Sequence, residues 1–212
     1  MTDFATARAA MVRDQIAGRG IRDPAVLAAF HEVPRELFVP EHLRHHAYED
    51  RALPIEAEQT ISQPYIVAMM LAAAQLSLRD HVLEVGAGSG YAAALMAHLA
   101  RSVVAVERHA ELAALARGRT HRLGLVNVSI VHGDGTQGYP PAAPYDVILC
   151  AAAGPVVPPA WFEQLAPGGR IIMPVGEVNG AQRLVRITVH PDGRLHEDML
   201  EPVRFVPLLP GC

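Results

Sequence analysis

A run of glycines and three acidic residues carry the clearest chemistry in this sequence. Glu84-Val-Gly-Ala-Gly-Ser-Gly90 ends a short apolar run. Glycines at 86, 88 and 90 let the backbone turn tightly from strand to helix and let a ligand approach where a side chain would block it. Glu107 closes a second apolar run, where a carboxylate can accept both hydroxyls of a ribose. Asp134, in Gly133-Asp134-Gly135 after a third, is placed to accept from an adenine amino group. A G-x-G-x-x-G dinucleotide fingerprint fails because its sixth position is Tyr91. Glu84 is a poor neighbour for a diphosphate at a helix N-terminus and a good one for an ammonium group. A ligand with an amino acid end, a ribose and an adenine, and no phosphate, fits this set. S-adenosyl-L-methionine has those parts.

The elements that must hold these residues alternate. His81 to Val85, Ser102 to Val106, Val126 to Val131, Tyr145 to Cys150 and Arg170 to Pro174 read as short buried strands. Helical patterns intervene over YAAALMAHLA, HAELAALARGRTHRL and around Trp161. Strands alternating with helices predict an α/β fold with a doubly wound, mostly parallel sheet. Ahead of it lie a helix over 5–17 stopped by Gly18 and Gly20, and a second from Asp23-Pro24 through Phe30. A loop with short helical pieces over Val33 to Pro54 and a helix over Pro64 to Leu76 follow. Behind it, Arg183 to Val189, the turn Pro191-Asp192-Gly193 and an extended run to Leu208 predict a closing antiparallel hairpin. We read one domain over 1–212: a helical, substrate-side segment over 1–76, a cofactor-binding core over 77–178 and C-terminal strands over 179–212.

The chain has 212 residues, half of them hydrophobic and 19% charged, with a net charge of −4. Its 18 basic residues are scattered, which argues against nucleic acid and anionic membranes as partners. No stretch approaches the roughly 20 apolar residues of a membrane span, and the N-terminus lacks a signal-peptide pattern. A cytoplasmic protein with no obligate protein partner is expected. Cys150 and Cys212 make neither a disulfide framework nor a metal spacing. His42, His45 and His46 read as a solvated face, so no metal site is expected.

Ser62, in LPIEAEQTISQPYIV, has two readings. Followed by Gln63, Pro64 and an apolar helical run, it has the look of an N-cap, worth about 0.5 to 2 kcal/mol. Local sequence favours the cap; holding a substrate is the second reading, and the two are compatible.

The segments TISQPYIVAMM, VLEVGAGSGY, VHGDGTQGYPPAAPYDVILCAAA, QLAPGGRIIMPVG and VRFVPL, with RDQIAGRGIRDPAVLAAFHEVPRELFVP before them, resemble protein-L-isoaspartate O-methyltransferases. The resemblance runs from about Met11 to Leu208 in the family's order. It implies a class I methyltransferase fold and repair of damaged proteins and peptides by methylation of the free carboxylate of isoaspartyl residues. Carried over by position, it makes Gly86, Ala87, Gly88, Ser89 and Gly90 the methionine-end loop, with Glu84 ahead of it. Glu107 becomes the ribose acceptor with Arg108 beside it, and Asp134 with Gly135 the adenine contact. Thr60 and Ser62 become substrate-side residues, with Ser62 as the catalytic serine. Many bacterial members read PIGQGQTIS where this chain has PIEAEQTIS, so Glu56 and Glu58 stand at two glycine positions. Should either face the pocket, an acidic substrate would feel it. Three alternatives stay open: a methyltransferase of the same fold acting on another aspartyl carboxylate, as in a peptide natural product; a nucleotide-binding oxidoreductase; and a non-catalytic adenosine-ligand binder.

Overall fold

A computed structural model describes residues 3–177, 180–190 and 192–212. Seven strands form one sheet: β3 (His81–Val85), β4 (Ser102–Glu107), β5 (Val128–His132), β6 (Tyr145–Cys150), β7 (Leu165–Gly176), β8 (Gln182–Val189) and β9 (Leu195–Val203). Their order is β5-β4-β3-β6-β7-β8-β9. The first five are mutually parallel, and β8 and β9 add antiparallel. The chain runs outward in opposite directions from β3, so the crevice at the carboxyl ends of β3 and its neighbours is the topological switch point. The Pro191 end of the expected turn and the boundary between the core and C-terminal segments fall outside the described residues.

Side chains alternate across the sheet and sort into two cores. Val82, Val103, Ala105, Val147 and Leu149 face a cluster that includes α2 (Pro24–Glu32), α3 (Pro64–Ala74), α4 (Tyr91–Ala97) and α5 (Ala110–Arg122). Leu83, Val85, Val104, Val106 and Ile148 face another with Trp161, which sits in the four-residue helix α6 (Pro159–Phe162). Each fully buried large aliphatic side chain here contributes about 1.5 to 3 kcal/mol.

Several elements differ from the sequence reading. The helix expected over 5–17 begins as α1 (Phe4–Ala10), then widens into a π-helical turn over Met11–Ile16 and a 3-10 turn over Ala17–Arg19. The wider turn puts Met11 and Ile16, five residues apart, in the core together. The strand expected from Arg170 starts at Leu165, because a register shift against β6 lets it pair before the glycines at 168 and 169. α3 stops at Ala74, where Gln75 turns left-handed at φ 49°. The loop over Val33 to Pro54 contains 3-10 turns at Arg35–Phe38 and Glu41–His46. The latter holds the three histidines, and no group of three metal-ligating side chains occurs among the described residues. No helix among them is long and apolar enough to cross a membrane.

Ahead of α3 lies a small hairpin of β1 (Leu53–Pro54) and β2 (Thr60–Ile61). It carries Thr60 and leads directly into Ser62.

Candidate active site

The glycine loop is built by β3 and closed by α4. Gly86 and Ala87 donate their backbone N–H groups to the Val106 carbonyl at 2.9 and 3.1 Å, pinning the loop to β4. Gly90 caps α4 at φ 87°, and a Cβ there would meet the Ala116 Cβ at 3.0 Å and its Cα at 3.3 Å, so the loop rests directly on α5. Any L side chain at this position would be strained and crowded at once.

Glu107, at the end of β4, is buried and holds the loop from the far side. It accepts from the Gly88 N–H at 2.7 Å and from the His109 N–H at 2.9 Å. Two bonds leave acceptor capacity on the carboxylate for further donors.

Glu84 is only 1% exposed, and neither of its carboxylate oxygens has a hydrogen-bond partner. Burial, aided by the neighbouring Glu107 charge, pushes its pKa well above the usual carboxylate range. A buried, unpartnered carboxylate at a cavity wall matches the ammonium end of an amino acid, which would supply both charge and donors.

These groups line a cavity of about 510 Å³ at the switch point. Gly86, Ala87, Gly88, Ser89, Arg108 and Gly135 share it, and so do Thr60 and Ser62 from the hairpin side. Gly90 and Asp134 do not line it. Asp134 instead caps the 3-10 turn Gly135–Gln137, accepting from the Thr136 N–H at 2.9 Å and hydroxyl at 2.7 Å. Its other oxygen accepts from the Gly211 N–H at 2.8 Å. Partial burial works to raise its pKa, but the bonds from Thr136 and Gly211 and the Arg108 charge outweigh it, and the net shift is downward. Arg108 reaches the Gly211 carbonyl at 3.3 Å, so the C-terminal segment lies across both residues. Gly135 is fixed by packing, since a Cβ there would come within 2.5 Å of a Val85 methyl.

Ser62 is not the helix cap. Pro64 occupies the first turn of α3, so Gln63 is the cap residue, and its side chain makes no capping bond. The Ser62 carbonyl accepts from the Arg35 guanidinium at 2.8 Å, which fixes the backbone of the serine and leaves its side chain at the cavity.

Arg35 was not foreseen as part of the site. It is fully buried, bonds the carbonyls of Ala47 and Ser62, and stacks 4.9 Å from the Tyr91 ring centroid. It appears in the sequence only as one charge within VPRELF, and nothing local marks it as buried. Arg35→Ala is expected to destabilise the protein by about 3 kcal/mol through a cavity and two orphaned carbonyls, read from urea unfolding. Tyr91, whose role the sequence left open, packs edge-on against Phe30 and Phe38 and also lines the cavity.

Arg204, exposed at the cavity and in no ion pair among the described residues, was likewise unassigned. Glu56 and Glu58 line no part of the cavity, which corrects the concern that they face an acidic substrate. Glu56 is turned away to Arg119, and Glu58 is exposed on the turn between β1 and β2.

A protein-family model described as protein-L-isoaspartate(D-aspartate) O-methyltransferase matches residues 6–211. The chain belongs to that family. It is 52% identical to protein-L-isoaspartate O-methyltransferase 1 of Rhodopseudomonas palustris strain HaA2, over 98% of this chain and 85% of that relative. Among solved structures, a protein-L-isoaspartate O-methyltransferase superposes with a TM-score of 0.84 at 32% identity, covering 94% of this chain and 65% of that one. A Plasmodium falciparum structure, named as a candidate member of the same family and bound to S-adenosyl-L-homocysteine, gives 0.82 at 25% identity over 99% of both chains. Family membership and the sheet topology together make this a class I methyltransferase fold.

Proposed function

We propose that this protein transfers the methyl group of S-adenosyl-L-methionine to the free carboxylate of L-isoaspartyl residues in damaged proteins and peptides. The observation that carries the reading is that Ser62 shares one cavity with Glu84 and Glu107. Family membership supplies the reaction class.

When bound, S-adenosyl-L-methionine supplies a methyl on a sulfonium, activated toward a carboxylate oxygen. Glu84 would hold its ammonium group, Glu107 its ribose hydroxyls, and the loop from Gly86 to Ser89 its methionine end, with Gly90 seating that loop on α5. Gly135 would contact the adenine, with Asp134 and Arg108 bracing that end through their bonds to Gly211. The free α-carboxylate of an isoaspartyl residue, of ordinary pKa about 3.3 to 3.7, is already ionised at neutral pH, so no residue need act as a general base. Ser62 donates one hydrogen bond that orients the carboxylate without neutralising it, as a cation would do more fully. Thr60 flanks the acceptor chain, and Arg204 at the cavity edge attracts its charge. The apolar wall from Ile66, Val67 and Met70 excludes water from a strongly solvated nucleophile.

Radiolabelled methyl transfer to matched peptides tests this. An isoaspartyl peptide should be methylated and its aspartyl counterpart should not. Equal labelling of the two would shift the assignment to a general aspartyl carboxyl methyltransferase.

A further inference from the structure

Glu56 opens the turn that leads to Thr60 and Ser62, and its side chain is tied to a second element. The turn joining β1 and β2 is closed by the Gln59 N–H donating to the Glu56 carbonyl at 3.2 Å. Its two central residues, Ala57 and Glu58, both have φ of 56°, the sign that a type I′ hairpin turn requires and that L residues other than Asn and Asp seldom adopt. Such strain persists only where the surroundings hold it in place.

Beside the backbone bonds of the hairpin, an ion pair anchors this turn to α5. The Glu56 carboxylate accepts from the Arg119 guanidinium at 2.9 Å, and the Arg119 side chain is only 6% exposed. The same guanidinium, through its other terminal nitrogen, reaches the carbonyl of Ser89 at 3.4 Å. Arg119 projects from α5 one turn beyond Ala116, the residue on which Gly90 rests. A single buried cation therefore touches the glycine loop and the tip of the hairpin that leads to Thr60 and Ser62. Neither Glu56 nor Arg119 lines the cavity, so both act through residues that do.

We propose that the Glu56–Arg119 pair is a positioning device that fixes the substrate-side hairpin against the cofactor loop, so that the two halves of the active site are held in register. The proposal rests on the function proposed above for its substrate side alone, since its effect on the cofactor loop needs no acceptor.

The test measures S-adenosyl-L-homocysteine affinity by calorimetry, without acceptor, for wild type, Glu56→Ala, Glu56→Gln, Arg119→Met and the Glu56→Ala/Arg119→Met double variant, beside the thermal midpoint of each. Glu56→Ala should weaken binding about tenfold, a typical coupling between linked sites. Glu56→Gln, which keeps a neutral hydrogen bond, should lose less. The double variant should be no worse than Arg119→Met alone, because the two act as a unit. Where Arg119→Met does not fold, the Glu56 variants, at a side chain one-quarter exposed, decide the matter. A folded Glu56→Ala protein that binds within about twofold of wild type overturns the proposal, whether or not its thermal midpoint falls. A wild-type protein that binds the product but methylates no isoaspartyl peptide overturns the proposed substrate and leaves the binding comparison to judge the pair.

Discussion

Ser62→Ala is expected to lower kcat for an isoaspartyl peptide by about 100-fold, the scale on which a reacting group misplaced by about 1 Å slows a reaction. Its thermal midpoint should stay within about 2 °C of wild type. The combination follows from the geometry. The hydroxyl makes no capping bond, the helix is capped at Gln63, and the contact that fixes the segment is the Ser62 carbonyl on Arg35, which alanine keeps. Had the serine capped α3, its loss would cost about 0.5 to 2 kcal/mol and the midpoint would drop with little change in rate. Steady-state kinetics and a melting curve on one preparation separate the outcomes. A wild-type kcat would remove Ser62 from the chemistry.

The second large effect concerns Glu84 and pH. Its folded-state pKa lies well above the usual 4.5 because burial, with the Glu107 charge behind it, disfavours the anion. As pH rises from about 4.5 toward that folded pKa, the unfolded chain gives up this proton while the folded chain keeps it, so the group's contribution to stability falls across that window. Glu84→Gln removes the loss, and the ligand-free variant should gain stability over wild type as pH rises through the window. Cofactor affinity should move the opposite way. Pairing with an ammonium group requires the anion, so binding releases a proton, and the affinity of wild type for S-adenosyl-L-homocysteine should rise by up to about tenfold per pH unit as pH climbs from the usual carboxylate range toward that folded pKa. In Glu84→Gln that slope should flatten and binding should be weaker throughout. Calorimetry in buffers of different ionisation enthalpy counts the proton directly. An equal slope in the two proteins would assign the pH dependence to another group.

The sheet was legible because its central strands β3, β4 and β6 are short and largely apolar on both faces. Glycine at 86, 88 and 90 has one dominant physical use, and all three adopt positive φ. Residues with several uses were harder to place. Asp134 was read as a ligand acceptor, yet Asp-Gly-Thr is also turn chemistry, and its carboxylate serves Thr136 and Gly211. Ser62 was weighed as a cap because serine precedes a helix, although proline at the first helical position makes the residue just before it the cap. The same rule worked at Asp23-Pro24, where Asp23 accepts from the Ala25 and Val26 N–H groups. Arg35 and Arg119 were invisible because burial of a cation is set by tertiary partners far along the chain, Ala47 and Ser62 for one, Glu56 and Ser89 for the other.

The chain has one tryptophan, and its indole N–H donates at 2.9 Å to the carbonyl of Gly135, which lines the cavity. Trp161 is otherwise sealed from solvent. The protein thus carries a single indole fluorophore wired to one corner of the cavity, and its emission, excited to the red of the tyrosines, reads local polarisation there without any introduced label.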